Sequence, residues 1–94
     1  MRLRGYKRLI MQAKQVEELI IAGLANARVE VESGDGSHFT ALVIAAEFDG
    51  LAKIKRHQMV YGALGELVGR EIHALSIRAF SPDEWEALQA TQRD

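Results

Sequence analysis

One segment of this 94-residue chain constrains its fold more than any other, because it joins a stretch of alternating charged and apolar residues to a turn and then to an apolar run. Residues 28–32 read Arg-Val-Glu-Val-Glu, the pattern of a strand with one buried face. Residues 33–37 are Ser-Gly-Asp-Gly-Ser, and the Asp-Gly pair favours the positive φ angles of a turn. Residues 39–46 carry apolar side chains on both faces, which predicts a central strand covered by helices. The segment therefore predicts a β-hairpin with His38 at or beside its tip.

A first helix is predicted before this hairpin, starting near Met11 and ending at Ala25-Asn26. Four of its apolar residues follow the spacing of a single helical face: Val16, Leu19, Ile20 and Leu24. Polar side chains occupy the opposite side of the segment. This pattern indicates an amphipathic helix that packs its apolar face on the sheet.

A second helix is predicted after the turn Phe48-Asp49-Gly50. Its apolar face consists of Val60, Leu64, Leu67 and Val68, with Tyr61 beside them. Glycines at positions 62, 65 and 69 each weaken a helix by up to ~1 kcal/mol relative to alanine. We interpret these glycines as sites of close packing and of helix termination.

The last third of the chain predicts a strand and then a helix. Residues 74–80 have the alternating pattern of a strand, with the apolar Leu75, Ile77 and Ala79 on one face and the polar Ser76 and Arg78 on the other. The following Ser81-Pro82-Asp83-Glu84 favours a helix start, with serine as the cap, proline at the first position and Glu84 completing a capping box. Trp85 should pack at the sheet edge, and Trp85 and Tyr61 should stabilise the fold more than any histidine. The predicted order of elements is αββαβα, an α+β fold.

Composition limits the chemistry of the chain. The length and an apolar share of 48% fit one globular domain. There is no cysteine, so the chain can form no disulfide and bind no metal through a thiolate. No apolar run reaches the ~18 residues of a membrane span and no signal peptide is visible. We therefore expect a cytoplasmic protein without membrane contact and without an enzyme active site.

Charge is distributed unevenly along the chain. Residues 1–10 carry four basic groups and no acid, which leaves 8 basic and 13 acidic residues, a net charge of −5, in residues 11–94. We expect residues 1–10 to be a poorly ordered basic extension and residues 11–94 to be a single domain. A domain near −5 lacks the clustered positive charge of a nonspecific nucleic-acid binder.

Two motifs in the second half of the chain resemble the BolA family. The first is Phe48-Asp49-Gly50 followed by the Arg-His-x-x-Val-Tyr of residues 56–61, and the second is Ile-His-Ala-Leu at residues 72–75 followed by Pro-x-Glu-Trp at residues 82–85. The Gly-Asp-Gly-Ser-His-Phe loop of residues 34–39 is similar to the histidine-loop, IbaG-like subgroup of that family. The resemblance implies a class II KH-like αββαβα fold, with a three-stranded mixed sheet backed by helices.

The resemblance also implies a function. In BolA proteins the histidine of Ile-His-Ala-Leu, here His73, is implicated in binding a [2Fe–2S] cluster shared with a monothiol glutaredoxin, whose thiolate and bound glutathione supply the other ligands. In the histidine-loop subgroup a second ligand comes from the hairpin, which His38 matches. The two histidines would supply only half of the ligands of one iron, so the isolated chain would not hold a cluster tightly. We expect the free chain to be a monomer or a weak homodimer.

Each of these residues also has an interpretation without a partner. Taken alone, His38 is an exposed turn histidine and His73 a satisfied or exposed one before a strand. No zinc-ligand spacing or Ser-His-Asp set accompanies them. A basic group, Lys53, Lys55, Arg56 and His57, is either a solvated edge or a set of DNA phosphate contacts in a transcriptional regulator. The turn before it, Gly-Leu-Ala-Lys at residues 50–53, lacks the second glycine of a KH phosphate loop.

Overall fold

A computed structural model describes residues 11–92 of the chain, so the prediction of a poorly ordered basic extension at residues 1–10 lies outside the described residues. The described part contains three α-helices and three β-strands in the predicted order. In chain order they are α1 (Ala13–Gly23), β1 (Arg28–Glu32), β2 (His38–Ile44), α2 (Lys53–Leu64), β3 (Ala74–Phe80) and α3 (Pro82–Gln92), with 3-10 turns at Ala46–Phe48 and Gly65–Leu67.

The three strands form one mixed sheet with β2 in the centre. Strands β1 and β2 are antiparallel, with Val31 opposite Ala41, as the hairpin prediction requires. Strands β2 and β3 are parallel, with His38 opposite Ala74 and Ile44 opposite Phe80. A parallel pair needs a crossover connection, and α2 provides it. The predicted α+β fold with a three-stranded mixed sheet is confirmed.

The core lies between one face of the sheet and the helices α1 and α2. Its fully or almost fully buried members are Val16, Ile20, Leu24, Val29, Val31, Phe39, Ala41, Val43, Ala45, Phe48, Val60, Leu64 and Ile72. The alternation of β1 is confirmed, because both valines are buried while its charged residues are exposed. The prediction that helices cover both faces of β2 is wrong, because Thr40 is exposed and Leu42 is only half-buried. Along most of its length the sheet has one covered face and one face open to solvent.

The packing role that we assigned to the glycines falls on a different residue. A Cβ atom added at Gly62 would meet nothing within 4 Å, whereas one at Gly23 would lie 2.7 Å from Cβ of Ala63. Gly23 therefore permits a close approach of α1 to α2 at Ala63 that a larger side chain would obstruct. The expected role in termination holds at Gly65, which follows α2 with a φ of 61°.

The start of α3 matches its prediction in detail. The Ser81 hydroxyl accepts the backbone N–H of Glu84, and a carboxylate oxygen of Glu84 accepts the backbone N–H of Ser81. Trp85 is half-buried and its ring lies 5.4 Å from that of Phe80. Tyr61, in contrast, is 41% exposed and Phe48 is fully buried. The buried position that this prediction assumed for Tyr61 is therefore wrong, and the buried aromatic residues of the core are Phe39 and Phe48. That Trp85 and Tyr61 stabilise the fold more than any histidine remains a prediction.

Candidate metal-binding site and basic helix start

The fold brings His38 and His73 together at one end of the sheet. Their ring centres are 5.3 Å apart and the ring planes meet at 77°. Both residues are exposed, and 60% of the His38 side chain is accessible to solvent. The two candidate ligands therefore form an adjacent pair that a second molecule can reach.

Backbone contacts fix the relative position of the two histidines. His38 is the first residue of β2, and His73 directly precedes β3, which runs parallel to it. The carbonyl of Ser37 accepts the backbone N–H groups of His73 at 2.9 Å and of Ala74 at 3.3 Å. The hairpin loop and the approach to β3 are thus tied together at the residues that carry the rings.

Asp35 organises the loop that carries His38. One of its carboxylate oxygens accepts the backbone N–H groups of Ser37 and His38, both at 2.9 Å. The other oxygen lies 2.7 Å from Nδ1 of the His38 ring. The two backbone N–H groups, followed by the His38 ring, hold the pKa of Asp35 well below its usual value. The carboxylate is therefore ionised and faces the imidazole at neutral pH.

Ser33 closes the same loop from its other side. Its hydroxyl donates to the carbonyl of His38 at 2.7 Å and accepts the backbone N–H of Gly36 at 2.9 Å. Gly36 has a φ of 72°, which an L side chain rarely adopts. The turn residues of the sequence thus build a defined loop around His38.

The separation of the two rings fits a shared metal ion. Imidazole nitrogens lie about 2.0–2.1 Å from a bound transition metal, so two imidazoles on one tetrahedral ion have ring centres roughly 5 Å apart. The observed 5.3 Å agrees with that spacing. Within residues 11–92, no group of three or more potential ligands (His, Cys, Asp or Glu) is arranged to hold a metal. The pair fits a centre whose remaining ligands come from another molecule.

Arg56, predicted as part of the exposed basic group, is buried instead. Its side chain is about 10% exposed and lies over the ring of Phe48 at 5.8 Å. Nε donates to the carbonyl of Leu51 at 2.9 Å, and Nη1 donates to the carbonyl of Ala79 at 3.1 Å. Nη1 and Nη2 donate to the two carboxylate oxygens of Glu84 at 2.6 and 3.0 Å.

These contacts make Arg56 a structural residue. It joins α2 to the end of β3 and to the capping box of α3, since Glu84 serves both the guanidinium and the N–H of Ser81. The Arg56 guanidinium, and next the backbone N–H of Ser81, lower the pKa of Glu84 to about 2. The prediction that Arg56 contacts DNA phosphates is therefore corrected, because its donors are already used within the fold.

The rest of the basic group remains at the start of α2. Lys53 and Lys55 are exposed, and His57 is half-buried. Arg56 reaches the carbonyl of Ala79, near the end of β3, whereas His73 precedes the start of that strand. At about 3.3 Å per residue, the end of β3 that Arg56 contacts lies roughly 15–20 Å from the histidine pair. The two candidate sites are spatially distinct.

The fold and the histidine pair define a class of protein: a small αββαβα domain that presents two imidazoles at one end of a mixed sheet. A family model described as BolA-like protein matches residues 11–84. The chain belongs to the BolA family.

Individual relatives agree with this assignment. The chain is 40% identical to the acid stress protein IbaG of Escherichia coli K12 over 76 residues, which are 80% of this chain and 89% of that protein. It is 40% identical over 58 residues to the DNA-binding transcriptional regulator BolA of Haemophilus influenzae, or 62% of this chain and 56% of that protein. The solved structure of a bolA protein homologue from Coxiella burnetii superimposes with a TM-score of 0.74 at 40% identity, covering 82% of this chain and 99% of that one.

Within residues 11–92, none of the helices is both long and apolar enough to cross a lipid bilayer.

Proposed function

We propose that this protein is a partner of a monothiol glutaredoxin in iron–sulfur cluster trafficking or in iron and redox sensing. The cargo is a [2Fe–2S] cluster held between the two proteins, with His73 and His38 as the ligands from this chain. The observation that carries the proposal is the 5.3 Å separation of two exposed imidazoles. Membership of the BolA family supports it, since the resemblance implies this partner.

The ligand chemistry of the chain is consistent with a shared cluster. Without cysteine, the chain can contribute no thiolate ligand, so the thiolates of glutaredoxin and of glutathione complete the coordination sphere. A [2Fe–2S] cluster with two imidazoles on one iron, as in Rieske centres, has a higher reduction potential than an all-thiolate cluster. Two imidazoles alone leave half of the coordination sphere to water, so the isolated chain should not hold the cluster tightly.

Mixing experiments test this proposal directly. The protein is added at high micromolar concentration to cluster-loaded monothiol glutaredoxin and glutathione, and visible absorption and circular dichroism are recorded. We expect a spectrum that differs from the sum of the components, and its loss in His73→Ala and His38→Ala. His57→Ala is the matched control, since it removes a histidine of α2 that is not part of the pair. A purely additive spectrum for the unaltered protein would refute the proposal.

DNA binding is the second candidate, and it has its own support. The BolA relatives of Haemophilus influenzae and Escherichia coli are named DNA-binding transcriptional regulators, and Lys53 and Lys55 are exposed together at the start of α2. With Arg56 buried, the described basic group retains two lysines as phosphate contacts. Two contacts give a slope near −2 for log K against log salt, and hence weak binding.

A double variant, Lys53→Ala with Lys55→Ala, separates the two functions. It should abolish any DNA binding measured by fluorescence anisotropy at low salt, while the cluster spectrum with glutaredoxin stays unchanged. Nanomolar, sequence-specific binding at physiological salt by the unaltered protein would favour the regulator function instead. A cytoplasmic location and a non-enzymatic role remain predictions.

A further inference from the structure

The Asp35 carboxylate is oriented by the backbone before it meets His38. Two N–H groups, from Ser37 and His38, point at one of its oxygens at 2.9 Å each. This leaves the second oxygen directed at Nδ1 of the ring, 2.7 Å away. The contact between carboxylate and imidazole is therefore a fixed part of the loop, although 55% of the Asp35 side chain is exposed.

A carboxylate that faces one ring nitrogen decides which nitrogen is free to bind a metal. An ionised carboxylate only accepts hydrogen bonds, so Nδ1 of a neutral His38 must carry the proton. The lone pair of the imidazole is then on Nε2. Metal-binding histidines commonly donate the other ring N–H to a carboxylate in this way, which fixes the tautomer and the ring orientation and increases ligand basicity.

We propose that Asp35 is a positioning residue for His38, holding its imidazole in the Nδ1–H tautomer so that Nε2 faces the shared cluster. This inference rests on the proposed function, because it requires His38 to be a ligand. Asp35 itself does not touch the cluster. The loop sequence Ser-Gly-Asp-Gly-Ser-His thus supplies both a ligand and the group that selects its binding atom.

Asp35→Asn inverts the hydrogen bond at the ring while changing little else. The N–H groups of Ser37 and His38 require an oxygen, so the asparagine must keep its Oδ1 where they point. Its NH₂ group then faces His38 Nδ1 and donates to it. Nδ1 becomes the acceptor, and the proton moves to Nε2, where it blocks metal binding.

Long-range ¹H–¹⁵N NMR spectra of the isolated protein report the tautomer without any cluster. At a pH where the ring is neutral, we expect the Nδ1–H tautomer of His38 to dominate in the unaltered protein and the Nε2–H tautomer in Asp35→Asn. Asp49→Asn is the matched control, because it makes the same chemical change in another exposed turn and should leave the His38 tautomer unchanged. Amide spectra of all three proteins should show the same fold.

The second measurement titrates each protein into cluster-loaded glutaredoxin with glutathione, using visible circular dichroism. Loss of a group that orients a metal ligand typically lowers affinity 10–100-fold. We therefore expect Asp35→Asn to weaken formation of the shared species by about 10–100-fold, close to His38→Ala, with no change for Asp49→Asn.

The outcomes separate the two proposals. A dominant Nε2–H tautomer in the unaltered protein, or an unchanged tautomer in Asp35→Asn, would overturn the positioning role whatever the cluster does. An inverted tautomer with full-strength cluster binding would overturn it as well, since the tautomer would then have no effect on the ligand. If instead His38→Ala and His73→Ala both bind like the unaltered protein, the proposed cluster ligands themselves are wrong.

Discussion

Replacing Arg56 by methionine removes a buried guanidinium while keeping a long apolar side chain over Phe48. The variant loses four hydrogen bonds, two to backbone carbonyls and two to the carboxylate of Glu84. Bonds from a charged donor contribute about 1.5–3 kcal/mol each and are not additive, and the half-exposed carboxylate can regain water. We expect a loss of about 2–4 kcal/mol. A domain of this size has a total stability of roughly 5–14 kcal/mol, so the change is large.

Urea denaturation followed by the fluorescence of the single tryptophan, Trp85, measures this loss. Lys55→Met is the matched control, because it removes the same charge from an exposed neighbour and should change stability by no more than about 0.5 kcal/mol. Arg56→Lys keeps the charge but not the paired geometry, and it should still be clearly destabilised. Equal stabilities for Arg56→Met and Lys55→Met would refute the structural role of Arg56 and return it to the exposed basic group.

Three further predictions concern stability. Gly62→Ala should stabilise the fold by up to ~1 kcal/mol and raise the thermal unfolding midpoint, because a Cβ atom at this position meets no other atom within 4 Å. Gly23→Ala should lower the midpoint. A higher midpoint for Gly23→Ala would contradict the tight contact between α1 and α2. The lowered pKa of Glu84 means that its ionised form stabilises the fold, so the free energy of unfolding should fall as the pH drops from 4.5 towards about 2. In Glu84→Gln this part of the pH dependence should be absent from an acid titration of stability. Phe48→Ala should lower the free energy of unfolding, measured by urea denaturation, by about 3–5 kcal/mol, and Tyr61→Ala should lower it by about 1 kcal/mol or less. Equal losses for the two variants would contradict this difference.

Local patterns predicted most of the fold. The alternation of residues 28–32 and the turn after it determine the hairpin, because a one-residue shift would expose both valines. The spacing of apolar residues located the buried face of α1, and the capping box located the start of α3. In each case the information lies within a few neighbouring residues.

Features that depend on distant residues could not be found in this way. Arg56 directly follows the exposed Lys55 in the sequence, and only the packing of α2 against the end of β3 shows that it is buried. The contact of Gly23 with Ala63 likewise depends on how two helices cross. For the site, the resemblance paired His38 with His73, but the contact between Asp35 and the His38 ring required coordinates. An Asp three residues before a histidine in a glycine-rich turn is the signal that could have indicated it.

The hydrogen bond from the backbone N–H of His73 to the carbonyl of Ser37 has a consequence for folding kinetics. It belongs to the parallel pairing of β2 and β3, which closes a loop containing the whole of α2, and such nonlocal contacts form more slowly than a hairpin. We therefore expect the two imidazoles to become neighbours only after β3 has joined the sheet. The exchange rate of this one amide with deuterated solvent should follow the integrity of the histidine pair in the free protein, before any partner is added.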